Sequence, residues 1–134
     1  MIIRFTIPGV PQGKQRPRFT RFGHTYTPEK TRQYEEDVRS AYLEAARDAH
    51  FSDRPVCVEI LAFYPIPKSA AKGRRAAMAD GSIRPVVKPD CDNVCKIICD
   101  ALNGIAWRDD AQVVKITVEK RYGETPMVHV VIDG

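Results

Sequence analysis

The sequence predicts an α+β fold: a small mixed β-sheet of about four strands packed with two main helices, ordered strand, helix, strand, helix, strand, strand. Three patterns predict it. Val94, Ile97, Ile98, Ala101 and Leu102 recur at helical spacing and would form one buried stripe. Residues 56–64 have strand composition and are apolar enough on both faces for a central strand. Residues 112–121 alternate, with Val114, Ile116 and Val118 on one side and Lys115, Thr117 and Glu119 on the other.

The remaining elements follow in order. Residues 2–7 read as a first strand, ended by Pro8-Gly9 and Pro11, and residues 8–26 as a basic arm rich in Gly and Pro. Thr27-Pro28 has the form of a helix start, a hydroxyl N-cap before proline. Tyr34, Val38, Ala41, Tyr42 and Ala45 then give residues 28–49 an amphipathic helical pattern, with Glu35, Glu36, Asp37 and Glu44 expected on a solvated face. Residues 65–89 hold too much Pro, Gly, Lys and Arg for a packed element, although 69–79 could form a short helix. A loop of that length in a small domain is usually functional or disordered. Gly104 stops the helix that begins near Asp90 or Asp92. Residues 127–132 form a last strand, joined to 112–121 as a hairpin through residues 123–126.

With 134 residues the chain has room for one domain, 1–134, and its 43% hydrophobic and 28% charged composition argues against wholesale disorder. No apolar run approaches the ~20 residues of a bilayer span, and Met1-Ile2-Ile3-Arg4-Phe5 lacks the layout of a signal peptide. A soluble cytoplasmic protein without a membrane partner is expected, its four cysteines free. The net charge of +4 conceals an asymmetry. Residues 1–26 hold Arg4, Lys14, Arg16, Arg18 and Arg21 and no acid. Residues 65–88 hold Lys68, Lys72, Arg74, Arg75, Arg84 and Lys88 against Asp80 alone. Basic charge sorted in this way suits a polyanionic partner such as DNA.

The densest chemistry runs from Lys88 to Lys96, followed by Asp109-Asp110. Carboxylates at a helix start can reach one hard cation through oxygen ligands, as Mg²⁺ requires. Asp92, Lys96, Asp100 and Asn103 line a polar strip opposite the apolar stripe, at ~100° per residue. Each feature also has a plain structural alternative. A lone Asp90 or Asp92 would cap the helix. Lys96 with Asp92 or Asp100 would form an exposed pair worth only ~0.3–0.5 kcal/mol. Concentration favours metal, because clustered acids would repel nucleic acid unless a divalent ion bridges them to phosphate.

Taken together, Lys88-Pro89-Asp90-x-Asp92-Asn93-x-x-Lys96, Asp100-Ala101-Leu102-Asn103-Gly104 and Trp107-x-Asp109-Asp110-x-Gln112-Val113 closely resemble the RusA family of Holliday junction resolvases, widespread in bacterial prophages. Gly13-Lys14-Gln15-Arg16-Pro17-Arg18 resembles the arm of its phage-type members, and the likeness runs from about residue 2 to 132. The resemblance implies that Asp90, Asp92 and Asp110 are metal-binding carboxylates and that Lys96 is a catalytic lysine, with no role assigned to Asp109. It further implies a homodimer that nicks four-way junction DNA symmetrically in recombination and repair. Mg²⁺ would be the cofactor, with Mn²⁺ able to replace it and no nucleotide cofactor. Lys14, Arg16, Arg18, Arg21, Lys68, Lys72, Arg74, Arg75 and Lys88 are the expected DNA contacts. Phe19, Phe22 and Tyr26, interleaved with them, would pack against bases or into the core, the core being expected.

Three rivals stand beside this reading. Cys91, Cys95 and Cys99 could bind zinc or an iron–sulfur cluster, but their x₃ spacing differs from the usual C-x₂-C pairs and half-buried free thiols are expected. A basic binding module without catalysis would hold branched DNA with or without metal. A less selective metal-dependent nuclease would also cut linear substrates. His24, His50 and His129 are scattered and read as structural, with DNA contact open for His24.

Overall fold

The computed structural model describes residues 1–134 and has the expected α+β architecture. Its elements are β1 (Ile2–Pro8), β2 (Arg18–Phe19), β3 (Thr25–Tyr26), α1 (Glu29–Ala46), β4 (Val56–Pro65), α2 (Lys72–Ala79) and α3 (Cys91–Leu102). A 3₁₀ turn, Asp110–Gln112, leads into β5 (Val113–Gly123), and β6 (Met127–Asp133) ends the fold. The sheet order is β1-β6-β4-β5, with β4 and β5 parallel and the other pairs antiparallel.

Alternation in the strands builds one face of the core: Ile3, Phe5 and Ile7 of β1, Val56, Val58, Ile60, Ala62 and Tyr64 of β4, and Val128, Val130 and Ile132 of β6. Helix α1 packs on β1 and α3, and α3 packs on β5. The stripe Val94, Ile97, Ile98, Ala101 and Leu102 is fully buried. The other face of β4 is only partly covered; Cys57, Leu61 and Phe63 stay half-buried there. Its central place therefore stands, with one covered face instead of two.

Several boundaries differ from expectation for physical reasons. Pro28, not Thr27, is the N-cap of α1, and no side chain caps that end. Glu35 is buried rather than solvated, because it shares a face with Thr31, Tyr34, Val38 and Tyr42. Residues 123–126 do not close a hairpin between neighbours: β6 lies beyond β4, on the far side from β5. The chain must cross the end of β4, roughly 10 Å for two strand spacings. Gly123 makes that passage possible, since a Cβ there would lie 3.1 Å from the Phe63 ring. Burial explains the order. The fully apolar inward face of β6 takes two neighbours, while β5, carrying Lys115, Glu119 and Lys120, takes the edge.

Leu102→Ala should lower unfolding free energy by about 3–5 kcal/mol in urea titrations, as for a filled core site. Leu43→Ala, at a half-exposed position of α1, should shift it by no more than about 0.5 kcal/mol.

Candidate active site

Helix α3 is positioned first by its start. Asp90 is the N-cap, its carboxylate accepting from the Asn93 amide at 3.3 Å. One oxygen thereby caps the helix and the other has no protein partner. The preceding Lys88–Pro89 peptide bond is cis, and the Tyr64 hydroxyl donates to the Pro89 carbonyl. Burial pushes the Tyr64 phenol up to about 12, and Cys91 and Asp90 push the same way, so it remains a donor at neutral pH. Nothing in the sequence linked Tyr64 to this turn, because the contact spans 25 residues.

Burial of the apolar stripe turns the opposite strip outward. Asp92 is exposed and makes no hydrogen bond or ion pair. Lys96 is also exposed and pairs with Asp100 at 3.8 Å rather than with Asp92. Asp100 in turn meets Lys14 at 3.3 Å, and Lys14 meets the buried Glu35 at 3.1 Å. This ammonium, with a side chain only 20% exposed, joins the arm, α1 and α3. The Lys14 amide donates to the Asn93 carbonyl at 3.3 Å. A Cβ on Gly13 would come within 2.9 Å of Pro89 Cβ, so the arm lies flush on the start of α3. Lys14, expected at DNA, is thus engaged by two carboxylates of its own chain.

Asp110 arrives by a short return. Gly104, at φ +79, turns the chain after α3, and the fully buried Trp107 donates its indole N–H to Asn103 at 2.7 Å. Asp109 caps the 3₁₀ turn by accepting from the Ala111 amide at 3.2 Å. Gln112 accepts from the Arg108 amide at 2.8 Å and donates to the carbonyls of Phe51 and Arg54 at 2.6 and 2.9 Å. Asp109 and Gln112 therefore orient the turn that presents Asp110, whose exposed carboxylate has no hydrogen-bonding or ionic partner.

Cys91, at the start of α3, lies by the Val118 carbonyl of β5, so Asp110, just before β5 begins, sits further along α3, near Cys95 and Cys99, than Asp90 and Asp92 do. Electrostatics locate the overlap. Burial raises the Cys95 thiol, contact with Cys99 opposes this, and Asp92, Asp100 and Asp110 raise it further. Burial pushes Cys99 up to about 12, with Cys95, Asp110 and Asp100 adding to it. These carboxylates surround one helical flank, yet no three His, Cys, Asp or Glu side chains of the single chain come close enough to hold an ion. The four cysteines are free, with Cys91 exposed and Cys99 buried. The donors available for a metal are unengaged carboxylate oxygens, which fit a hard divalent cation bound through one or two acids plus water and phosphate.

The basic arm meets the start of α3 at Gly13 and Lys14. Arg16, Arg18, Arg21, Lys68, Lys72, Arg74 and Lys88 are exposed and lack acidic partners. Arg75 is engaged locally, donating to the Pro67 carbonyl at 3.0 Å and lying 3.9 Å from Glu124. Lys30 was not foreseen, since it lies in a helix of mixed charge; with Lys14, Lys88 and Asp90 it lines a cleft of about 470 Å³ between the arm and α3. Phe19, Phe22 and Tyr26, expected in the core, are instead exposed on the β2–β3 hairpin, because two-residue strands leave no second layer to cover them. His129 contacts Thr6 Oγ1 at 2.6 Å and His50 contacts Ser52 Oγ at 2.9 Å, while His24 is exposed.

Residues 8–133 match the family described as Endodeoxyribonuclease RusA. The chain is also similar to an uncharacterized protein, YqaN, of Bacillus subtilis (strain 168), with 36% identity over 135 residues, 97% of this chain and 94% of the relative.

Lys14→Met should cost about 1–3 kcal/mol, since Glu35 and Asp100 lose their shared cation. Adding Glu35→Gln should restore part of that loss in thermal melts. A second expectation concerns pH. The folded Cys99 thiol keeps its proton up to about 12 while an ordinary thiol loses it near 9.0. Above that lower value the unfolded chain binds fewer protons than the folded one, so stability should fall as pH climbs between the two. Urea titrations should show a shallower decline in Cys99→Val.

Proposed function

Because the chain belongs to the RusA endodeoxyribonuclease family, we propose that it is a Mg²⁺-dependent, structure-selective endonuclease that binds four-way junction DNA as a homodimer and resolves it by paired symmetric nicks in recombination and repair. The observation that carries this reading is the α3 flank. It presents Asp92 without a partner and the exposed Lys96 one turn further along, with the unengaged Asp110 of the 3₁₀ turn near the same helix and a basic arm seated on the helix start.

Asp90, Asp92 and Asp110 would hold the cation, with Mn²⁺ able to replace Mg²⁺. Bound there, Mg²⁺ supplies an activated water and neutralises charge on the phosphoryl oxygens. The protein's own groups do the rest. Lys96, tied to Asp100 only at 3.8 Å, can swing to a phosphate and stabilise negative charge developing on it. Asp100 limits that swing and is itself held by Lys14. The exposed arm and loop cations grip backbone phosphates, fixing register without reading sequence.

The lack of a cluster of three metal-binding side chains within one chain favours a site completed between two protomers. Strand β5 is an edge strand, and its Val114 is 67% exposed and Ile116 37% exposed. Such an apolar edge favours a second copy. A two-fold axis perpendicular to β5 and α3 would lay two copies of α3 antiparallel, bringing the Asp90–Asp92 end of one helix toward the Asp110 of the other. Two equivalent sites then face a substrate of near two-fold symmetry.

Cutting of a synthetic four-way junction and of linear duplex in Mg²⁺ tests the proposal. The wild type should give paired nicks in the junction. Asp92→Asn should lose about 100-fold or more in rate while junction binding, followed by gel shift, persists. A variant as active as the wild type would remove the metal role of Asp92. Metal-independent binding with no cutting by either protein would favour the non-catalytic module.

A further inference from the structure

Phe19 and Phe22 are 74% and 79% exposed, on a hairpin of only two residues per strand. Single exposed hydrophobics are ordinary, but two phenyl rings with the half-exposed Tyr26 in one small hairpin form a cluster that asks for an occupant. The hairpin is nevertheless well defined. The Thr20 amide donates to the His24 carbonyl at 2.7 Å, and the Gly23 amide to the Thr20 carbonyl at 3.1 Å. The Thr20 hydroxyl accepts from the amides of Phe22 and His24 at 3.3 and 3.2 Å. Gly23, at φ +81, lets the chain reverse directly after Phe22. The tip is thus preformed, which lowers the ordering cost of binding.

We propose that the β2–β3 hairpin is a stacking element for an unpaired nucleobase, with Phe22 at the tip and Phe19 on the strand as its ring surfaces. That DNA is the partner rests on the nuclease reading above. Charge selects the occupant. Arg16, Arg18 and Arg21 flank the rings without acidic partners, and residues 1–26 contain no acid. Two such hairpins would repel each other, whereas a phosphate backbone neutralises all three cations. The Arg21 guanidinium lies 5.7 Å from the Phe22 ring centroid, so a base on that ring has a cation beside its own phosphate. Geometry selects the state of the base. In a continuous duplex the base faces are covered by their neighbours, and only branch points, gaps and single strands offer a free face to an aromatic ring. The hairpin thereby favours interrupted over continuous DNA. Its root, Gly13-Lys14, sits on the start of α3, tethering that preference to the acids.

The test uses the full chain in EDTA, so that nothing is cut. The probes carry 2-aminopurine at a junction crossover, in a short single-stranded gap, or within continuous duplex. Wild type should change the fluorescence of the first two probes and leave the third unaltered. Phe22→Ala should abolish the change and weaken binding to gapped DNA about tenfold, with duplex affinity within twofold; Phe22→Trp should retain both. A persistent fluorescence change in Phe19→Ala/Phe22→Ala would overturn the proposal. So would an equal loss of affinity for all three probes, or dissociation of a dimer by light scattering, which would make the hairpin a contact between copies. A Phe22-dependent signal on the junction and gapped probes from a chain that leaves the junction uncut in Mg²⁺ would uphold stacking while contradicting the nuclease reading. A junction preference that survives Phe22→Ala together with its fluorescence change would sink the stacking proposal alone.

Discussion

Everything about the site depends on how α3 is rotated against the sheet. Val94, Ile97, Ile98, Ala101 and Leu102 are almost wholly removed from water, and at roughly 1.5–3 kcal/mol for each large side chain that burial fixes the rotation. Once the stripe faces inward, Asp92 and Lys96 must face outward, and Asp100 must meet whatever packs beside the helix. The helix start is fixed separately, by Asp90 capping its own first turn and by Tyr64 reaching the Pro89 carbonyl. The outward orientation of these groups is a by-product of core packing.

The second constraint is the ammonium of Lys14. It enters from the arm and sits between a glutamate of α1 and an aspartate of α3. Two carboxylates this poorly hydrated would repel each other without it, so the arm belongs to the stability of the fold. Function inherits the tether. A hairpin rich in arginine and exposed rings is anchored against the helix that carries Asp92, and Lys96 is linked to that anchor through Asp100. Basic and acidic groups distant in sequence are thereby held in one frame.

How much of this was legible in the sequence depended on whether local periodicity controls the feature. The α3 stripe, the central place of β4 and the four-strand mixed sheet were readable because burial imposes period 3.6 or 2 on the residues themselves. The buried face of Glu35 was readable too, from its spacing to Thr31, Val38 and Tyr42, but an acid in an acidic run suggested water. The crossing of β6 past β4 was hidden, its local trace being Gly123, where Phe63 leaves no room for a side chain. Phe19 and Phe22 were drawn toward the core by their hydrophobicity, whereas a two-residue hairpin has no interior. Tyr64 and Gln112 act through contacts 25 and 61 residues away, which no spacing rule reaches. The acids of the site were visible as a motif, while their distribution along α3 was a property of the fold.

That distribution gives the account its sharpest consequence. If the Asp90–Asp92 turn works with Asp110 of a second copy, two damaged chains can repair each other. Asp92→Asn and Asp110→Asn, each inactive as a homodimer, would be unfolded together and refolded to mix their subunits, then assayed on a four-way junction in Mg²⁺. Shared sites predict that the mixture regains cutting as single nicks, because one of the two sites in each mixed dimer has both acids. A mixture as inactive as its parents, with mixed dimers demonstrably formed, would contradict the shared site and return all three acids to one chain.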